Sequence, residues 1–239
     1  PDVLIHCAAI SDVAECSKKP ELSHAVNVLG TEYLAKACGK TGTKLVMCSS
    51  DQVYFRKRGE QESLDTYLEP HREDCIETPE PLYGKQKLQG EEICLKYQPE
   101  SVVLRLSWMY DNLTEEELAK GRRSLAMMLR EMLDKKQSRK FSDTDHRGAT
   151  DVNLVVKNME AAWKLAGGIY NYGSSNEADM YETVRRVMAS FGQEALVEKA
   201  TGGNVRNLMM STDKLARHGI FFPDTAAGLE AFLRKGGAL

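Results

Sequence analysis

Three short apolar runs, separated by stretches with helical periodicity, constrain this chain more than any other feature. Residues 3–6 (VLIH), 44–48 (KLVMC) and 101–106 (SVVLRL) are apolar almost throughout instead of alternating. That pattern belongs to strands buried on both faces. Between the first two runs, residues 20–40 place Ala25, Val28, Leu29, Leu34 and Ala37 at the spacing of one helix face, and Gly39 and Gly42 end it. Residues 82–97 read as a second helix. Strand, helix, strand, helix, strand at these intervals predicts βαβ units and a parallel sheet. Right-handed crossovers then bring the C-terminal strand ends to one edge, where ligands bind in such sheets.

The second half has a different texture. Residues 114–136 read as a charged helix, 140–141 as a short strand and 151–166 as an amphipathic helix. A strand at 168–172 and helices at 178–190, 211–218 and 225–234 follow. The expected fold is α/β: a Rossmann-like, doubly wound parallel sheet with its first part missing, plus a smaller mixed α/β part. The expected division is a dinucleotide-binding remainder over 1–110 and a substrate-binding part over 111–239, from which some elements return to the first. Residues 56–81 are polar and rich in Pro and Glu, and read as a long functional loop.

Composition excludes several classes. The formal net charge of −3 gives no basic field for nucleic acid. No apolar run approaches the ~18 residues of a membrane helix. The six cysteines form no CxxC pair, which points to a reducing, cytoplasmic setting without disulfides or zinc. His6 reads as a structural histidine. His71 and His146 lack ligand spacing for a metal. Arg122 and Arg123, near Glu115, Glu116 and Glu117, read as a solvated helix face.

The chemistry concentrates around Tyr83-Gly84-Lys85-Gln86-Lys87. Tyr83 and Lys87, four apart, share one helix face. A phenol with an ordinary pKa near ~10 exchanges protons poorly at neutral pH, and a neighbouring ammonium is expected to lower it. The pair can then serve a carbonyl or alcohol as proton donor or acceptor. Ser49-Ser50-Asp51 end the preceding strand, where Ser50 can bond the same substrate oxygen. Trp108 ends the following one. This order puts Ser50, Tyr83 and Trp108 on the ligand edge.

The stretches 1–9 (PDVLIHCAA), 26–31 (VNVLGT), 47–55 (MCSSDQVYF), 82–90 (LYGKQKLQG) and 103–110 (VLRLSWMY) resemble the dTDP-4-dehydrorhamnose reductase family of the extended short-chain dehydrogenases. Weaker likeness runs through 143–152, 168–172 and 211–216. The resemblance implies NAD(P)H-dependent reduction of the 4-keto group of a nucleotide-linked deoxysugar, with NADP or NAD as cofactor. Tyr83 would be the general acid, Lys87 its electrostatic partner and ribose ligand, and Ser50 the carbonyl holder. Cys7, Ala8, Ala9, Asn27 and Ser49 would border the cofactor together with Tyr83 and Lys87. Asp51, Gln52, Trp108 and Arg147 would line the sugar pocket. The expected partners are the nucleotide-sugar substrate and, as oligomer, a homodimer, with neither nucleic acid nor membrane.

The chain departs from that family at Gln52 (usually Tyr), Gln86 (commonly Ser) and Asp111 (usually Gly), and in the length of the 56–81 loop. It contains no GxxGxxG turn for a pyrophosphate. The run Thr201-Gly202-Gly203-Asn204 does not qualify, since no clear strand precedes it. Because the sequence opens at Pro1 directly before a strand, further residues are expected upstream. Two rival readings stand beside the reductase. One is a nucleotide-sugar epimerase or dehydratase. The other is a non-catalytic binding subunit like the regulatory subunit of methionine adenosyltransferase.

Overall fold

The computed structural model describes residues 1–75, 78–119 and 121–236. Residues 76 and 77 of the expected loop and Lys120 of the expected 114–136 helix lie outside the described residues. Among the described residues, ten strands occur in chain order: β1 (Val3–His6), β2 (Lys44–Ser50), β3 (Val102–Leu106), β4 (Trp108–Tyr110), β5 (Arg139–Ser142), β6 (Asp145–Arg147), β7 (Ala149–Asp151), β8 (Gly168–Tyr172), β9 (Val197–Ala200) and β10 (Arg206–Leu208).

Strands β1, β2, β3 and β8 form one sheet in that order, every pairing parallel. Successive side chains on each strand serve opposite faces. Val46, Val102, Leu104, Tyr170 and Tyr172 pack on one face with Val155, Ala162 and Leu165, on or just beyond the helix Val152–Ala162. Leu45, Met47 and Val103 pack on the other with Ala35, Cys38 and Cys94, from the helices Gly30–Thr41 and Leu82–Tyr97. The mostly apolar, non-alternating character of β2 and β3 thus has its cause in a sheet covered on both sides. The α/β parallel-sheet expectation holds. A separate core joins Leu125, Leu129, Met132, Phe141, Val184, Met188, Leu229 and Phe232 in the second half. Two further parallel pairs, β4 with β7 and β5 with β9, contribute Tyr110, Ala149, Phe141 and Val197 to it, and a third, β6 with β10, places Leu208 against Val53 and Tyr54 instead.

Several local expectations need correction. β1 is not a fully buried strand: it lies at the sheet edge, and Ile5 is 39% exposed. The 20–40 helix is continuous in path but contains a π turn, Ala25–Leu29. The expected 114–136 helix is two helices, Glu115–Ala119 and Leu125–Lys135. Between them Gly121 adopts φ 78°, a left-handed conformation that glycine takes without steric cost. The 211–218 helix shrinks to Asp213–Ala216. The long loop holds a helical turn, Leu64–Tyr67, and a bridge from His71 to Met210. Thr201–Asn204 does follow a strand, β9, but a strand rather than a helix comes next.

Candidate active site

Ser50 ends β2 in extended conformation, with φ −150° and ψ 152°. Its hydroxyl accepts from the Gln52 amide at 3.2 Å and so caps the 3-10 turn Asp51–Tyr54. This is the ordinary N-terminal use of a serine oxygen, and it fixes the Oγ at the sheet's C-terminal edge. The same hydroxyl lies 3.1 Å from Asp51 Oδ1. Tyr83 enters from the first turn of the Leu82–Tyr97 helix, whose start Pro81 sets with φ −66° and ψ 140°. Gly84 lets that turn rest on the Asp51–Tyr54 segment: a Cβ there would meet the Gln52 carbonyl oxygen at 2.3 Å.

Lys87, one turn on, is buried with its Nζ 5.8 Å from the Tyr83 ring centre, and it donates to the Cys48 carbonyl at 2.8 Å. The expectation that it would lower the phenol's pKa is not met. Burial pushes the Tyr83 phenol up, and the charge of Asp51 adds to this. A hydrogen bond with Ser50 acts in the opposite direction. Burial also lowers the Lys87 ammonium and raises the Asp51 carboxyl, the latter against the pull of Arg147. The phenol is therefore protonated at neutral pH, the form that donates.

These groups line one cleft of about 640 Å³. Of the expected residues, Cys7, Ala9, Ser49, Ser50, Asp51, Gln52, Tyr83, Lys87, Trp108 and Arg147 share it. Ala8 and Asn27 do not line it. Asn27, in the π turn, is buried behind the wall. Its Oδ1 accepts from the Ile10 amide at 2.8 Å, and its Nδ2 donates to the Ile10 carbonyl at 3.0 Å and to Gln86 Oε1 at 2.9 Å. Gln86 in turn donates to Ser23 at 2.9 Å, so the side chain that replaces the usual serine is spent on the scaffold. Ser49 donates to Glu91. Arg147 reaches Asp51 Oδ2 at 3.4 Å and lies over the Trp108 ring, 5.1 Å from its centre. Its Nε is buried with no hydrogen-bond partner among the described residues.

The cleft also holds residues that sequence reasoning missed: Ser11, Arg122, Arg123 and Arg206. Arg122 and Arg123 sit in the non-helical connection after Gly121, not on a helix face. The glycine was the signal that took them off the helix. Arg206 follows the Gly202-Gly203 turn and is held by Asp145 through bonds of 2.9 and 2.6 Å. Away from the cleft, His6 Nε2 lies 2.9 Å from Thr31 Oγ1, the structural role expected for it. No group of three or more metal-ligating side chains occurs among the described residues. No helix among them is long and apolar enough to cross a membrane.

A family model, the RmlD substrate binding domain, matches residues 1–210. The chain belongs to this family. A dTDP-4-dehydrorhamnose reductase of Mycobacterium tuberculosis is 33% identical over 125 residues, 52% of this chain and 40% of that protein. Methionine adenosyltransferase 2 subunit beta of Xenopus laevis is 28% identical over 237 residues, 92% of this chain and 66% of that one. The chain thus spans less than two thirds of the length of these curated relatives. The crystal structure of dTDP-4-dehydrorhamnose reductase from Bacillus anthracis, in complex with NADP, superposes with a TM-score of 0.77 at 19% identity. That match covers 98% of this chain and 81% of the other, and it establishes the shared fold.

Proposed function

We propose that this chain carries the catalytic residues of an NAD(P)H-dependent reductase acting on the 4-keto group of a nucleotide-linked deoxysugar. The observation that carries the reading is the convergence of Ser50, Tyr83 and Lys87 in one cleft at the C-terminal edge of a parallel sheet, with the phenol held protonated. Residues 1–110 would form the cofactor part and 111–239 mainly the substrate part.

The residues present fit the nicotinamide–ribose end of a dinucleotide. Lys87 lines the cleft with only one of its three N–H donors given to Cys48. Cys7 and Ala9 lie beside it at the end of β1. A glycine-rich pyrophosphate turn is not among these 239 residues. When bound, NAD(P)H supplies the hydride; the protein's work is positioning and electrostatics. Ser50 would hold the keto oxygen by a hydrogen bond, and Tyr83 would deliver its phenolic proton to that oxygen as negative charge develops there. Lys87 would then stabilise the phenolate left behind. Arg147, with its free buried Nε, would bind the anionic nucleotide-linked substrate, and Trp108 would give the sugar an apolar wall.

The reading includes a homodimer in a cytoplasmic setting, with the cysteines reduced. The test is net consumption of reduced nicotinamide by the longest natural polypeptide, given a nucleotide-linked 4-keto-6-deoxysugar. Interconversion of sugars without net consumption would identify an epimerase instead. A second reading, a non-catalytic binding subunit, draws on the likeness to the methionine adenosyltransferase beta subunit over 92% of the chain. It requires stable association with a synthetase and no reductase turnover.

A further inference from the structure

Cys7 and Cys48 lie one step beyond the last paired residues of β1 and β2, His6 and Met47. Side chains at facing positions of a parallel ladder leave the same side of the sheet, and neighbouring strands run ~4.8 Å apart. That separation falls within the ~4.4–6.8 Å between Cα atoms that a disulfide spans. The two sulfurs stand 3.5 Å apart, as thiols. Cys7 is exposed and Cys48 half-buried, and both line the cleft beside Lys87. The other cysteines are placed differently. Cys16, Cys38 and Cys94 are buried; Cys16 donates to the Ile10 carbonyl, and Cys94 contacts the Met47 sulfur. Cys75 is half-buried in the 56–81 loop.

We propose that Cys7 and Cys48 are a site of reversible thiol oxidation, closing to a disulfide across the floor of the cleft when a low-molecular-weight disulfide is present. Cys7 is the attacking group. The hydrogen bond from Cys48 pulls its thiol down to about 6, burial opposes this, and the Lys87 charge adds to the lowering. The same hydrogen bond pushes the Cys48 thiol up. In the first step the Cys7 thiolate attacks one sulfur of the external disulfide. A mixed disulfide forms and one thiolate leaves. In the second step Cys48 gives its proton to water and attacks the Cys7 sulfur, releasing the second thiolate. Two protein thiols are oxidised by two electrons, and the external disulfide is reduced to two thiols. The bridge fixes β1 to β2 where the chain enters the cleft and removes the sulfur charge that faces Lys87.

The inference stands apart from the reductase reading, because thiol chemistry rather than turnover is measured. The native protein is incubated with oxidised glutathione, quenched with N-ethylmaleimide and mapped by peptide mass spectrometry. The expected result is a Cys7–Cys48 crosslinked peptide pair, loss of two of the six thiols, and full reversal by dithiothreitol. In Cys48→Ser the reaction should stop with glutathione on Cys7; in Cys7→Ser neither position should react. Full alkylation of both Cys7 and Cys48 after oxidation would overturn the proposal. So would a Cys48→Ser protein that takes up no glutathione at Cys7.

Discussion

The Lys87 ammonium donates to the Cys48 main-chain carbonyl at 2.8 Å, and so fastens the helix that carries Tyr83 to the strand that ends in Ser50. The lysine is thus part of the scaffold as well as a charge in the cleft. Tyr83, governed by burial, stays protonated. Replacing it with Phe removes the proton donor while keeping the ring. In the longest natural polypeptide, Tyr83→Phe should lower turnover by about 10²–10⁴-fold, with cofactor affinity nearly unchanged. Nicotinamide oxidation rates and a cofactor titration check this, and wild-type turnover in the variant would exclude the role.

Glu91 and Arg105 form an ion pair of 2.7 Å with side chains 1% and 3% exposed. Ser49 also bonds Glu91, and Tyr54 accepts from Arg105 at 2.7 Å. Arg105→Leu leaves a carboxylate buried without its counter-charge. Such one-sided breaks cost about 3–5 kcal/mol. The urea midpoint should fall accordingly. Removing the exposed Lys164–Glu160 pair by Lys164→Ala should leave it unmoved.

Neither residue of that ion pair announces itself in the sequence. The main-sheet strands and the three covering helices were legible because a strand buried on both faces is apolar along most of its length and a helix face repeats every three to four residues. The short strands β4 to β7, β9 and β10 were mostly missed. Each has only three or four residues, and their pairing partners lie far away in the chain, so no local pattern records them. In the same way, Ser50, Tyr83 and Lys87 could be placed in one cleft because strand order fixes the ligand edge. The sign of the Tyr83 shift could not, because burial and the Asp51 charge, neither visible in the YxxxK spacing, outweigh the Ser50 hydrogen bond.

His6 is buried against Thr31, and burial lowers its pKa below the ordinary 6.5, with the Lys87 charge acting in the same direction. The unfolded chain therefore takes up the proton first as pH falls. Stability is full above 6.5 and is lost as pH drops from there toward the lower folded value. The urea midpoint of the wild type should decline as pH falls through and below the ordinary histidine value of 6.5. His6→Gln should show a shallower decline. His146, also lowered by burial, adds to the decline in the same direction.

Arg147→Lys keeps the charge near Asp51 but loses the flat guanidinium over Trp108 and the unpartnered Nε. Stacking of this kind contributes roughly 0.5–2 kcal/mol. The Michaelis constant for the nucleotide sugar should rise several-fold, with little change in turnover at saturation. Steady-state kinetics separates the two, and an equal fall in both kcat and kcat/KM would move Arg147 from binding to chemistry.

The contact at Gly84 reaches further than the fit of one residue. The helix touches the Gln52 carbonyl through bare main chain, so the interval between Tyr83 and Ser50 is set by two stretches of backbone, the contact lying one residue from Tyr83 and two from Ser50. No intervening side chain has to keep its size for that interval to hold. Under the proposed function, the cleft positions Gln52, Trp108 and Arg147 could therefore be exchanged over evolutionary time, or by design, without resetting the distance between Tyr83 and Ser50. On that reading, the choice of substrate would be mechanically uncoupled from the proton donor's placement.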